Sequence, residues 1–234
     1  MSRDLTLIEE LLVNSDPTRV EEELNKNPQW ASVRNQFGVL PFIWAFSHSK
    51  LRNKTQKICA LLTAFPEAAS IKNKSNRLPI HMALENEYSI KIIVALLRAY
   101  PDGAMQIDND DMLPINYAIQ SNNVEAVQAC IKYCPDCVKF RCEELGMHAL
   151  SWTLEQENEL EIVFAVLNSY PEAASQENKN GKIPLHYAVE WEYPLEVITA
   201  LIQAFPEGVG KKDKFEKLPR DYAGNAPIDI INLL

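Results

Sequence analysis

Leu78-Pro79-Ile80-His81-Met82-Ala83 recurs along the chain as Leu113-Pro114-Ile115-Asn116-Tyr117-Ala118 and Ile183-Pro184-Leu185-His186-Tyr187-Ala188. Two weaker copies flank these, Leu40-Pro41-Phe42-Ile43-Trp44-Ala45 and Leu218-Pro219-Arg220-Asp221-Tyr222-Ala223, and a sixth, His148-Ala149-Leu150-Ser151-Trp152-Thr153, lacks the proline. From Pro79 onward the step is 35 residues. A second marker keeps the same phase: Phe65-Pro66-Glu67, Tyr100-Pro101-Asp102, Cys134-Pro135-Asp136, Tyr170-Pro171-Glu172 and Phe205-Pro206-Glu207, with Asn27-Pro28-Gln29 as a degenerate forerunner. Two markers in phase identify a repeat built from one supersecondary unit. The largest length change is three residues between Pro41 and Pro66, in the polar stretch Ser49 to Lys54, where a surface loop accepts insertion.

Each unit reads as two helices and a connector. A proline just inside a helix start occupies a position whose N–H would have no partner, so Pro79, Pro114 and Pro184 each open a short helix. Ile90, Ile93, Val94, Leu96 and Leu97 then recur at helical spacing and mark a second helix with a buried face. It stops at the aromatic-Pro pair, because Pro101 removes a backbone donor and blocks the preceding turn. The connectors, such as Ile71 to Arg77, are polar and end in a turn whose penultimate site holds Gly38, Asn76, Asp111, Gly146, Gly181 and, out of pattern, Glu216. Gly, Asn and Asp share a tolerance for positive φ, which predicts a left-handed residue and a tight hairpin-like turn there. Leu5 to Val13 reads as a helix, and Asp16-Pro17 caps and opens another through Leu24. Pro227 opens a last helix, Ile228 to Leu234, which serves as a C-terminal cap.

The signature of proline, aliphatic, histidine and alanine, with the second helix and polar connector, resembles the ankyrin repeat family. The match covers nearly the whole chain. Leucine or isoleucine stands where family members place threonine before the proline, the histidine is present only at His81 and His186, and the unit is longer than the usual one. The resemblance implies an all-α solenoid of helix-turn-helix repeats, about six of them after an N-terminal helix pair. The expected organisation is one domain over 1–234: the helix pair in 1–34, five repeats in 35–212 and a capping repeat in 213–234.

Composition agrees with a folded, water-exposed protein: 47% apolar and 24% charged residues. With 23 basic and 32 acidic residues the net charge is −9, which repels a phosphate backbone, so nucleic acid is not expected as a partner. Acidic residues interrupt the N-terminus where a signal peptide needs an apolar core, and no apolar run is long enough to span a bilayer, so no membrane association is expected. An odd number of cysteines, five, without a disulfide framework fits a reducing compartment, the cytosol or nucleus.

Candidates for chemistry are few. Cys130, Cys134, Cys137 and Cys142 lie close together in sequence, and Cys134-Pro135-Asp136-Cys137 has the inner spacing of a zinc pair. By register, though, Cys130 replaces Leu96, Cys134 replaces Tyr100 and Cys137 falls at Ala104 or its neighbour, so packing is the expected role and a metal- or redox-responsive regulator the alternative. His81 and His186 are expected to make a local bond at a helix start. No phosphate cradle, nucleophile elbow or metalloprotease motif is present, so no enzyme and no cofactor are expected.

The expected function is that of a scaffold or adaptor, monomeric, which binds a protein partner through a concave face and the connector tips. Residues that vary between repeats at those places are the candidates. At the tips they are Phe37, Lys74, Arg77, Asp110, Leu145, Lys179, Lys214 and Phe215. On the first-helix edge the series His48, Asn86, Ser121, Gln156 and Trp191 puts His48 and Trp191 forward. The tips carry uneven charge, acidic at Asp108, Asp110 and Asp111 and basic at Lys211, Lys212, Lys214 and Lys217. A large residue at one place in every unit, Trp44, Met82, Tyr117, Trp152, Tyr187 and Tyr222, is read as packing between first helices.

Overall fold

The structure, a computed structural model, describes residues 6–143, 146–224 and 227–234. Contacts divide the chain into two compact units, residues 1–103 and 104–234. The first unit holds α1 (Leu7–Asn14), α2 (Pro17–Lys26), α3 (Pro41–Ser47), α4 (Lys54–Ala64), α5 (Pro79–Glu85) and α6 (Ile90–Ala99). The second holds α7 (Pro114–Gln120), α8 (Val124–Tyr133), α9 (Ala149–Glu155), α10 (Leu160–Ser169), α11 (Pro184–Glu190), α12 (Leu195–Ala204) and α13 (Ile228–Leu233). Among the described residues, β structure is confined to two-residue strands, Arg141–Cys142 and Met147–His148, paired antiparallel. The chain is an all-α solenoid, and among the described residues no helix is long and apolar enough to cross a membrane.

Helix starts follow local chemistry. Thr6 and Glu9 form a capping box on α1, and Asp16 Oδ1 accepts the Arg19 N–H at the start of α2, with Pro17 just inside. Leu5 lies outside the described residues. In the repeats the third residue of the first helix accepts the N–H of the residue before the proline: His81 Nδ1 from Leu78, Asn116 Oδ1 from Leu113 and His186 Nδ1 from Ile183. Asp221 Oδ2 does the same for Leu218, although Pro219 to Tyr222 forms a 3-10 turn and not the α-helix its proline announces. The histidine is thus one of several acceptors for an otherwise orphaned donor.

Each second helix ends two residues before a marker proline, and the residue between them is its C-cap. After that proline runs one 3-10 turn, as in Pro66–Ser70, Pro135–Lys139 and Pro171–Ser175. In the first unit α2 packs on α4 and α4 on α6; in the second α8 packs on α10, and α9 lies between α7 and α11. Ala45, Ala83, Ala118 and Ala188, which close the signature, are fully buried, because a larger side chain would hold neighbouring helices apart. The inserted stretch is not wholly solvated: Leu51 is buried and Lys54 donates Nζ to the Phe46 carbonyl at 2.7 Å.

The first helix of a repeat ends in a Schellman turn. Glu87 N–H bonds to Leu84 O and Tyr88 N–H to Ala83 O, and the same pair recurs at Asn122/Asn123, Glu157/Asn158 and Glu192/Tyr193. Glu87, Asn122, Glu157 and Glu192 all have positive φ near 50°. At three of these sites, Tyr88, Asn158 and Tyr193, the residue that follows the left-handed one reaches back to the preceding repeat within its unit. Tyr88 donates its hydroxyl to Phe46 O at 2.7 Å, and Asn158 donates Nδ2 to Ile119 O at 2.9 Å.

Candidate functional site

The connector tips are rigid for a reason that the register shows. Asn35, Asn73, Asp108, Asn178 and Asp213 hold one place in five connectors. In each, Oδ1 accepts the backbone N–H groups two and four residues on: Asn178, for example, from Asn180 at 2.8 Å and Lys182 at 3.0 Å. The same residue's N–H bonds back across the turn, as Asn178 does to Lys182 O at 2.9 Å. The predicted left-handed site is realised at Gly38, Asn76, Asp111, Gly146 and Gly181, and Glu216 adopts it as well with φ 61°, so the exception is one of residue type alone.

The same acidic or amide side chain meets the large residue nine positions on. Tyr117 donates its hydroxyl to Asp108 Oδ2 and Tyr222 to Asp213 Oδ2, both at 2.5 Å, while Asn178 Nδ2 donates to the Tyr187 hydroxyl at 2.6 Å. Tyr117, Trp152 and Tyr187 are buried, and the hydroxyls of Tyr117, Tyr187 and Tyr222 staple the connector to the helix that follows it. Burial pushes the Tyr187 hydroxyl up to about 12. Burial also works to raise the Asp213 carboxyl, but the Tyr222 hydroxyl and the Lys217 and Phe215 amides outweigh it and hold the group below the usual carboxylate value. In the remaining connector Glu143 occupies the place, and there the indole Nε1 of Trp152 is buried without a partner.

Phe37 and Phe215 stand on such tips, 69% and 65% exposed. Lys74 and Asp110 are exposed on theirs, whereas Arg77 is half-buried and paired with Glu85 at 2.8 Å. Leu145 lies outside the described residues. His48 and Trp191 are the residues that end α3 and α11. His48 stacks on Trp44 at 4.1 Å, and Trp191 is 43% exposed. Helix α11, at ~1.5 Å per residue, puts Trp191 about 10 Å along from the tip of its own repeat, so tips and helix edge are separate rows.

Two of the predicted residues meet around one cavity. Lys179 and Lys214, with Arg141, Glu177 and Asn178, line an open polar depression of about 690 Å³ in the second unit. Backbone builds it: Lys214 N–H donates to Asn180 O at 2.9 Å, joining adjacent tips. A Cβ on Gly181 would lie 3.0 Å from Lys214 N, and one on Gly146 would lie 2.7 Å from Lys179 Cγ. Arg141 donates Nε to Gly146 O at 3.1 Å. Below, the Tyr222 ring takes Lys182 Nζ at 4.2 Å and Lys217 Nζ at 5.0 Å from its centroid. Arg141 carries no signature in the sequence; only the fold puts it beside two lysines that lie in later repeats. In the first unit a different pocket, about 320 Å³, lies between the first two connectors and is lined by Arg34, Leu40, Ile43, Phe46 and Met82 among others.

The cysteines are free thiols, with Cys130, Cys137 and Cys142 buried. Burial pushes Cys130 up to about 12 and Cys137 further, and the neighbouring thiols add to the effect. Such thiols are poor nucleophiles. Cys137 corresponds to Gly103 and Gly208, where a Cβ would crowd the Tyr100 or Phe205 ring; Cys134 replaces that ring and leaves the room. Among the described residues no group of three or more His, Cys, Asp or Glu is placed to hold a metal ion.

No protein-family model matches the chain, and no curated protein sequence matches it. Solved structures do. The ankyrin repeat domain of Bcl-3, of the IkappaB protein family, superposes with a TM-score of 0.71 at 17% identity over 99% of both chains. EF0377, an ankyrin repeat protein, gives 0.64 at 18% identity over 81% of this chain and 93% of that one. A chain from the complex of the Bd0816 predatory endopeptidase of Bdellovibrio bacteriovorus with immunity protein Bd3460 gives 0.59 at 13% identity over 99% and 97%. The chain has the ankyrin repeat fold.

Proposed function

We propose that this protein is a non-catalytic binding module that holds another protein through its connector tips and the C-terminal edges of its first helices, acting as a monomer in the cytosol or nucleus. The observation that carries the reading is the placement of large apolar side chains, Phe37 and Phe215, exposed on turns that Asn35 and Asp213 brace through their backbone N–H groups. A rigid support presenting an exposed aromatic has already met the ordering cost of an interface, and the aromatic gains from burial only when a partner covers it. Immunity protein Bd3460 is named in a complex with an endopeptidase, which supports a protein as the kind of partner this fold takes. A metal- or redox-responsive role for the four cysteines is the weaker reading, since burial disfavours the thiolate forms of Cys130, Cys134 and Cys137.

The test is capture from the native lysate on the immobilised full chain and on the Trp191→Ala, Phe215→Ala double variant. A protein retained by the wild type and lost from the variant is the expected result. Equal retention by both would remove these faces from the account.

A further inference from the structure

Within the second unit, three successive connectors each contribute a cation to one cavity: Arg141, Lys179 and Lys214. We propose that this surface receives an acidic peptide segment of a partner protein, with the three cations meeting its carboxylates and Phe215 taking an apolar side chain beside them. The proposal rests on the protein-binding reading above and names the chemistry of the partner at one place.

Charge and rigidity both support it. On a chain of net charge −9, a cluster of cations is a local reversal of the prevailing field, and such a reversal steers a negatively charged ligand to one spot. Among the described lining residues Glu177 is the one carboxylate, and it pairs with Lys211 at 2.7 Å. The turns that carry the cations are held by backbone: Lys214 and Asn180 are bonded main chain to main chain, and Arg141 donates Nε to the Gly146 carbonyl. Gly146 and Gly181 let successive tips approach closer than a Cβ would permit, which keeps the three charges on one continuous support. Phe215 follows Lys214 on the same turn, its N–H fixed by Asp213 Oδ1 at 2.8 Å, and is 65% exposed. An exposed ring beside cations on braced turns matches an apolar residue flanked by carboxylates. A nucleic acid fits less well, because three cations on an acidic protein neutralise few phosphates.

Fluorescence anisotropy on the full chain decides, with three labelled probes: the peptide Glu-Glu-Leu-Phe-Glu-Glu, its counterpart with Lys for every Glu, and a single-stranded oligothymidylate. The acidic peptide is expected to bind at low salt and the basic one not. Lys179→Glu with Lys214→Glu should weaken it at least about tenfold, Phe215→Ala severalfold, while Lys50→Glu with Arg52→Glu, exposed in the inserted stretch of the first unit, leaves it unchanged. Each variant is checked by circular dichroism and thermal melting; if the double reversal does not fold, Lys214→Gln and the salt dependence of the wild type carry the same comparison. Absence of acidic-peptide binding, equal binding of the basic peptide, indifference to the reversal, or equal binding of oligothymidylate each overturns the proposal. Failure here with partner capture still lost in the Trp191, Phe215 double variant removes only the acidic receptor; capture unaffected by that variant removes the broader reading.

Discussion

The connector tips of the first unit and those of the second are made by the same local chemistry and end in different surfaces. Asn35 and Asn73 brace their turns as Asn178 and Asp213 brace theirs, with Oδ1 accepting the same two amides. Yet a Cβ on Gly38 would meet nothing within 4 Å, while one on Gly181 would run into the backbone of the next tip. The turn is therefore set by residues within it, and the surface by how closely the following turn approaches. A left-handed glycine does two jobs in the second unit and one in the first.

Breaking the brace has the largest expected effect. Asp213→Ala removes the acceptor of the Phe215 and Lys217 amides and the Tyr222 hydroxyl, and should cost about 3 kcal/mol in urea unfolding. Asp213→Asn should cost only about 1 kcal/mol, because Asn178 performs the same bonding in its own connector. The two differ from wild type in a pH-dependent way. The folded Asp213 carboxyl lies below its unfolded value, so its charge-dependent stabilisation is present above about pH 4 and is lost as pH falls through the lower folded value. The gap between wild type and Asp213→Asn should close across that window, and a gap unchanged by acid would contradict the assignment.

The comparison itself is sharpened by a pair of identical changes. Gly38→Ala and Gly181→Ala both place a Cβ at positive φ, which costs about 1 kcal/mol. Only the second also presses on the backbone of Lys214 and Asp213, and about 2 kcal/mol in total is expected, with weaker binding of the acidic peptide. Equal losses in thermal or urea melts would mean that the tips of the second unit are not in close contact. The smallest effect expected is a gain: Glu192→Gly relieves an exposed left-handed residue at a Schellman turn and should raise stability by about 0.5 kcal/mol.

The parts of this fold that sequence makes legible are those where a residue type has one local job. Proline marks the helix starts, the aromatic-Pro pair marks the ends, and Gly, Asn or Asp marks the left-handed tip. Glu216 hides the same conformation because glutamate has no such preference and the turn is imposed by Asp213 bonding around it. Glu87, Glu157 and Glu192 conceal the Schellman turns for the same reason. The bracing series from Asn35 to Asp213 was in the periodicity but is recognisable only once its bonds are known. At Pro219 the marker is present and the α-helix is not, since a 3-10 turn also suits a proline start. Exposure of Phe37, Trp191 and Phe215 follows from their register, whereas the meeting of Arg141, Lys179 and Lys214 depends on packing between connectors that no single repeat encodes.

Hydrogen exchange of the full chain, alone and saturated with the captured partner, addresses the binding surface most directly. Slowed exchange confined to the tip amides around residues 37–39, 179–182 and 214–217 and to the ends of α3 and α11 is the predicted pattern. Protection centred instead on the outer second helices, α4 and α6 or α10 and α12, would contradict it.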